Sequence, residues 1–344
     1  MLGIGILIAL IVVALFMMQA PTSWTKGEVI TTPEESFKDL PDYPFEANYV
    51  TLHGYRVHYV DEGPKDGKTV LLMHGQPSWS YLYRHMIPLL AKLGYRVIAP
   101  DLVGFGKSDK PLNRDDHNYQ MHIDVMNAFM KELDLSDVSL FAQDWGGLIG
   151  LRMVASAPQR FGRIMLSNTG LPAMGGIKGW LSYPLFKLMV MKEGKPETIA
   201  DKGEFRFTRW VAWAKHTPTF DLAGLFQQST SRELSDVELA GYAAPFPDEK
   251  YMAAIRKFPT MVPSQLLQNQ RVMDEVFAKW NKPFLTAFGD SDPVTKGRDK
   301  IWHKVVPGAE GQPHTTIKDG AHFIQEDKPE ELVEVFDKFI KSDA

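Results

Sequence analysis

Asp144 stands where a run of strand character, Val138 to Ala142, meets a glycine-rich stretch of helical character, Gly146 to Ala157. The residues two places to either side, Ala142 and Gly146, are small, so a tight strand-to-helix turn could bring both elements together and expose residue 144 at its apex. A carboxylate there is ionised at neutral pH without help from a base, and as a nucleophile it would form an ester with a substrate carbon. The alternative is that Asp144 only caps the following helix, a place where Asp is favoured. Downstream, each after a short strand-like run, come Asp292 in Gly289-Asp290-Ser291-Asp292-Pro293 and His322 in Asp319-Gly320-Ala321-His322-Phe323. A nucleophile, an acid and an imidazole thus follow one another in the chain, the parts needed for an ester to form and for water to cleave it.

Asp290 and Asp292 compete for the acid position. Asp292, three residues after Gly289 at the mouth of the loop, is the better placed, and Asp290 then caps the loop. His322 is one of ten histidines, and its Gly-Ala-His turn after the last strand sets it apart from the others. The turn His74-Gly75-Gln76-Pro77 would aim the Gln76 backbone N–H toward the N–H of Trp145, and the pair would make an oxyanion hole. No histidines stand in a metal-binding spacing such as H-E-x-x-H, and with no Cys there is neither a disulfide framework nor a thiolate metal site. No metal and no organic cofactor is expected.

The elements around these residues read as an α/β fold. Asn48–Leu52 and Tyr55–Asp61 form a hairpin around His53-Gly54, and Thr69–Met73 and Arg96–Pro100 are apolar runs of buried strands. Tyr81–Leu93, with Pro88 shortening it, and Met121–Leu133 have helical spacing. Strands alternating with helices imply a mostly parallel sheet, with ligands gathered beyond the carboxyl ends of its strands. The strand at Ile164–Ser167 and the next clear one, Phe284–Phe288, lie more than a hundred residues apart, too far for one crossover helix. The excess predicts an inserted helical cap over residues 171–263, with helices near Phe205–Trp213 and Asp236–Ala244, on a core made of residues 43–170 and 264–344. The final helix runs from Pro329 to Ile340.

The 344 residues, 44% hydrophobic, can bury a sizeable core, and a formal charge of -4 without long runs of one sign gives no reason to expect nucleic acid as a partner. Leu2 to Ala20 carries no charge, and as a helix it would span about 28 Å, close to a bilayer's hydrocarbon core. Residues 1–20 are therefore expected to anchor the protein in a membrane, with export to the periplasm on a signal peptide, or a misplaced start codon, as alternatives. Residues 21–42, rich in Thr, Pro and charge, read as a linker.

From about Tyr43 onward the chain resembles the haloalkane dehalogenase family of the α/β-hydrolase fold. The resemblance rests on the run from His74 to Arg84, on Gly104 to Pro111 and on Gln143-Asp144-Trp145-Gly146-Gly147; in the cap it rests on Phe207-Thr208-Arg209-Trp210 and on Tyr242 to Asp248. Gln76 departs from a relative that carries Glu there, which matters little if its backbone N–H does the work. The resemblance implies an α/β-hydrolase core with a cap and a two-step hydrolysis of a carbon–halogen bond. Asp144 would displace halide to give an alkyl ester, and water activated by His322, supported by Asp292, would cleave it. Trp145 and Trp210 would hold the halide through their indole N–H groups, with Phe207 and Pro245 lining the pocket; Trp180 and Trp213 are read as packing residues. The partners would be a small halogenated organic substrate, water and halide ion. Rivals with the same fold are an epoxide hydrolase, which would need cap tyrosines such as Tyr183, Tyr242 or Tyr251 as acids, a fluoroacetate-type dehalogenase, which would need arginines near the nucleophile, and a β-lactone decarboxylase, which a membrane anchor would suit. A non-catalytic binding module would leave the three groups without purpose.

Overall fold

The computed structural model describes residue 15, residues 18–201 and residues 204–342. The chain opens with a two-residue strand, β1 (Val29–Ile30), and then the hairpin β2 (Asn48–Leu52) and β3 (Tyr55–Glu62). The turn between them is His53-Gly54, with φ of 49° and 82°, the left-handed pair that a tight hairpin needs. Next come β4 (Thr69–Met73), α1 (Met86–Lys92) and β5 (Arg96–Pro100). The helix is shorter than its periodicity suggests because Ser80–Tyr83 winds as a 3-10 turn, and Pro88 sits in the first helical turn, where a missing N–H breaks no hydrogen bond. After β6 (Lys110–Pro111), which pairs with β1, α2 (Tyr119–Glu132) starts at Asn118, whose Oδ1 accepts from Gln120 N at 2.7 Å and Met121 N at 3.2 Å. The central unit is β7 (Val138–Gln143), α3 (Trp145–Ser156) and β8 (Phe161–Ser167).

Between β8 and the next core strand lie α4 (Gly176–Glu193), the short hairpin β9 (Ala200–Asp201) and β10 (Glu204–Phe205), α5 (Phe207–His216), α6 (Leu222–Gln228), α7 (Asp236–Ala243), α8 (Ala253–Met261) and α9 (Leu266–Glu275). The chain ends with β11 (Phe284–Gly289), α10 (Lys300–Val305), β12 (Thr315–Ile317), α11 (Ile324–Asp327) and α12 (Pro329–Lys341). Eight strands make one sheet in the order β12-β11-β8-β7-β4-β5-β3-β2; only the pairings of β3 with β2 and β5 are antiparallel. Every residue of β7 and of β11 is buried. At about 1.5–3 kcal/mol for each fully buried large apolar side chain, Leu140 and Phe141 help to make β7 a stiff support for residue 144.

The membrane anchor expected over residues 1–20, and the membrane-associated or periplasmic location drawn from it, is corrected. Among the described residues no helix is long and apolar enough to cross a membrane. The described end of the stretch lies against the protein, where Gln19 Nε2 donates to Trp180 O at 2.9 Å. Residues 1–14, 16 and 17 lie outside the described residues. Residues 21–42 also differ from a free linker. Asn118 Nδ2 donates to Pro21 O at 2.7 Å, Trp24 Nε1 to Asp124 at 2.8 Å, and Thr32 Oγ1 to Pro245 O at 2.8 Å. A polar composition concealed this because the segment is held by scattered contacts, these hydrogen bonds together with single apolar side chains such as Phe37 against Trp79, and no periodic apolar face marks it in the sequence.

Candidate active site

Asp144 follows the last residue of β7 with φ 48° and ψ -127°, a left-handed backbone that a non-glycine residue holds only under constraint from its surroundings. That constraint is steric and hydrogen-bonded at once. A Cβ at Gly146 would stand 2.0 Å from Met73 O, so only glycine lets α3 approach β4 this closely. Asp144 N donates to Asn168 O at 3.2 Å, and Thr169 Oγ1 donates to Asp144 O. The Asp144 side chain makes no capping bond to α3. Instead its Oδ1 accepts from Gln76 N at 2.8 Å, and its Oδ2 stands 3.6 Å from His322 Nε2.

His322 Nδ1 faces Asp292 Oδ1 at 3.2 Å. Asp292 is fully buried and is held by Val294 N at 2.9 Å, by Thr295 N at 3.2 Å and by the Thr295 hydroxyl. Burial by itself would raise its pKa, but His322 and these donors bring it below the usual carboxylate value. Burial would likewise lower the pKa of His322; Asp292 and Asp144 overcome this and raise it to about 10. Asp290 is placed differently, with Oδ1 accepting from Asp319 N at 2.9 Å across the neighbouring loop. His74 Nε2 accepts from Leu102 N at 2.9 Å and belongs to the turn.

Asp144, Trp145, Phe207, Trp210 and His322 line one cavity of about 300 Å³, together with Gln76. Its size is at the small end for ligand pockets. Trp24, Trp79 and Trp213 commit their indole N–H groups to Asp124, Gly241 O and Glu197 O. The indoles of Trp145 and Trp210 donate to nothing among the described residues, although both line the cavity. Pro245 does not line it and is corrected as a pocket residue: its carbonyl accepts from Thr32 Oγ1, and Pro259 and Val262 of the following helical turns line the wall. Phe258 packs edge-on against Trp145 at 4.8 Å.

Two residues were overlooked in the sequence. Asn168 Nδ2 donates to Ala321 O at 2.6 Å and His322 O at 3.2 Å, its Oδ1 accepts from Gly289 N at 2.8 Å, and Gln143 Nε2 donates to His322 O at 3.0 Å. Both are buried polar residues next to catalytic candidates, and a polar side chain at the carboxyl end of an otherwise apolar strand was the signal available. His85, Glu238 and Glu326 could group ligand atoms within 4.8 Å. Arg84 and Arg232 already pair with both carboxylates, which leaves a cation little charge to bind.

Residues 68–329 match the model of the alpha/beta hydrolase fold family. The chain is 44% identical over 322 residues to a haloalkane dehalogenase of Psychrobacter cryohalolentis, which covers 91% of this chain and 98% of that one. To a haloalkane dehalogenase of Mycolicibacterium paratuberculosis it is 41% identical, with 89% and 96% covered. Among solved structures, the tetrameric haloalkane dehalogenase of Paraglaciecola agarilytica superposes with a TM-score of 0.74 at 30% identity, covering 92% of this chain and 99% of that one. The expectation of membrane attachment, corrected above, gains nothing from these relatives.

Proposed function

The chain belongs to the haloalkane dehalogenases of the alpha/beta hydrolase fold, and from that premise we propose how its residues divide the hydrolysis of a carbon–halogen bond. Asp144 attacks the substrate carbon, the carbon–halogen bond breaks, and the halide leaves toward the free indole N–H groups of Trp145 and Trp210, which are donors only. The resulting ester is neutral, so one of the two charges that raise the His322 pKa disappears. The imidazole can then lose its proton and accept another from water, which attacks the ester carbonyl of Asp144. Charge that develops on Asp144 Oδ1 meets the Gln76 N–H, already 2.8 Å away, and the Trp145 N–H beside it. Collapse returns the Asp144 carboxylate and releases the alcohol, with His322 left protonated as it began, so that substrate and water yield alcohol, halide and the one proton that the imidazole gave up after alkylation.

The observation that carries this reading is the position of Asp144 between Gln76 N and His322 Nε2 in a cavity with two indole donors that have no partner among the described residues. The epoxide-hydrolase alternative needs an acidic tyrosine over the nucleophile. Tyr183, Tyr242 and Tyr251 do not line the cavity, and the Tyr242 hydroxyl is bonded to Glu326. The lactone alternative loses the membrane argument that favoured it. Incubation with bromo- and chloroalkanes, epoxides and β-lactones, following halide and pH, tests the assignment. Halide release from at least one bromoalkane is expected, with Asp144→Ala reducing it to background. Turnover of a lactone or epoxide without any halide release would overturn it.

A further inference from the structure

The loop that carries His322 is tied to the inserted helical segment as well as to the core. Phe323 N donates to Ser229 O at 3.0 Å, and the Phe323 ring stacks on Phe226 with 4.6 Å between centres. Ser229 and Phe323 both line the cavity, so this seam adjoins the reacting groups. Four residues further on, one carboxylate spans the seam. Asp327 Oδ1 accepts from Ser231 N at 2.7 Å and Arg232 N at 3.1 Å, both in the inserted segment, while Oδ2 accepts from Ala321 N at 2.8 Å, immediately before His322. Glu326, beside it, is occupied separately with Arg84, Arg232 and Tyr242. The donors to Asp327 are all backbone N–H groups, so the carboxylate sets the position of two chain segments relative to each other.

We propose that Asp327 is a positioning residue for ester hydrolysis, holding segment 229–232 and Ala321 in register so that His322 Nε2 faces the Asp144 ester with room for one water. The proposal rests on the roles given above to Asp144 and His322. The two chemical steps differ in their dependence on this register. Displacement of halide uses Asp144, fixed by β7 and α3, whereas hydrolysis requires the imidazole, a water and the ester carbonyl in line, and an error of about 1 Å in such an arrangement can cost a factor of roughly 100.

Asp327→Asn and Asp327→Ala separate these steps. The amide keeps the shape of Asp but can accept on one side only, and its NH2 then opposes an N–H on the other; Ala removes both attachments. With a bromoalkane in single-turnover quench experiments, both variants are expected to keep the halide burst within about threefold of the unaltered protein. Alcohol formation is expected to fall by about 10- to 100-fold, KM to fall along with kcat, and an alkyl adduct to accumulate in intact-mass spectra. Alcohol formation equal to that of the unaltered protein, or burst and alcohol rates falling together, would overturn the proposal. If the variants do not fold, amide exchange in the unaltered chain decides: Ala321, Ser231 and Arg232 N–H groups are expected to exchange as one unit, and independent exchange would overturn the proposal. An unaltered protein that releases no halide removes the dehalogenase reading and this proposal with it. Halide release and ester trapping by His322→Gln, with normal turnover by Asp327→Asn, removes the role of Asp327 alone.

Discussion

His322 stands between two carboxylates, and its proton is shared between the demands of both. Burial opposes the charge, yet Asp292 and Asp144 together raise the pKa from 6.5 to about 10, so the free protein holds imidazolium at neutral pH. That state is a poor base, and it ceases to be favoured once Asp144 is alkylated. Alcohol formation should therefore climb with pH above 6.5 and level off below the free-protein value near 10, while the halide burst, which does not use the imidazole as a base, stays flat over the same interval. Quenched single-turnover reactions at stepped pH measure both limbs, and a burst that follows the same pH curve as the alcohol would show that His322 acts before the ester forms. His322→Gln should keep the burst and accumulate ester. At this scale the meeting of Asp144, Asp292 and His322 was legible because turns that follow parallel strands gather at the carboxyl end of one sheet. Pro245 was misplaced because a motif match carries no information on which way a residue faces. Asn168 and Gln143 signalled only that a polar group ends an apolar strand, and their role stayed hidden because both donate to the His322 carbonyl from a distant part of the chain.

The elbow is an element-scale device, since neither β7 nor α3 alone forces Asp144 into its backbone conformation. Contact between α3 and β4 does, and it depends on the missing side chain at residue 146. Gly146→Ala would press a methyl against a backbone oxygen that cannot rotate away, whereas at Gly150, on the same helix, the nearest atom to an added Cβ is the Leu140 Cδ2 methyl at 3.3 Å, which can shift. We expect Gly146→Ala to destabilise by about 3 kcal/mol or more and to lower Tm by roughly 5 °C or more, with Gly150→Ala much milder; calorimetry of the pair checks the difference. Equal melting temperatures would mean that the approach of α3 to β4 is looser than described. The strands of the core were readable because both faces are covered and their runs are apolar throughout. The longest helix of the inserted segment, α4, escaped the same reading. Its outer face keeps Ile177 and Met191 about two-thirds exposed, so apolar residues surround the helix and blur the spacing that a one-sided helix shows. Pro184 inside it reads as a stop signal.

Over the whole molecule, the buried bases decide how stability responds to pH. His117 and His122 stack with 5.6 Å between ring centres under Phe258, and both are buried. His117 Nε2 and His122 Nδ1 have no hydrogen-bond partner among the described residues. Burial, joined by Lys257, lowers the first to a pKa of about 3, and burial, joined by His117, lowers the second well below 6.5. An unfolded chain would protonate both below pH 6.5 while the folded one would not, so stability is lost as pH falls from 6.5, by up to about 1.4 kcal/mol per pH unit for each histidine. The carboxylates with lowered pKa, Asp61 and Asp292 among them, act in the same direction but only below about pH 4, where free carboxyl groups begin to protonate. On the alkaline side two buried bases oppose each other. His322, raised from 6.5 to about 10, makes stability fall as pH rises across that interval, whereas Lys110, lowered by burial from 10.5 to about 7, makes it rise. Their slopes nearly cancel, so Tm should be almost level from pH 7 to 10 and should drop on the acid side while the carboxyl groups are still ionised. Melting curves at stepped pH test this, and His122→Gln, which removes one buried base, should flatten the limb just below pH 6.5. An acid limb that begins only near pH 4 and ignores the substitution would assign it to the carboxylates and leave the histidine pair without a part in it.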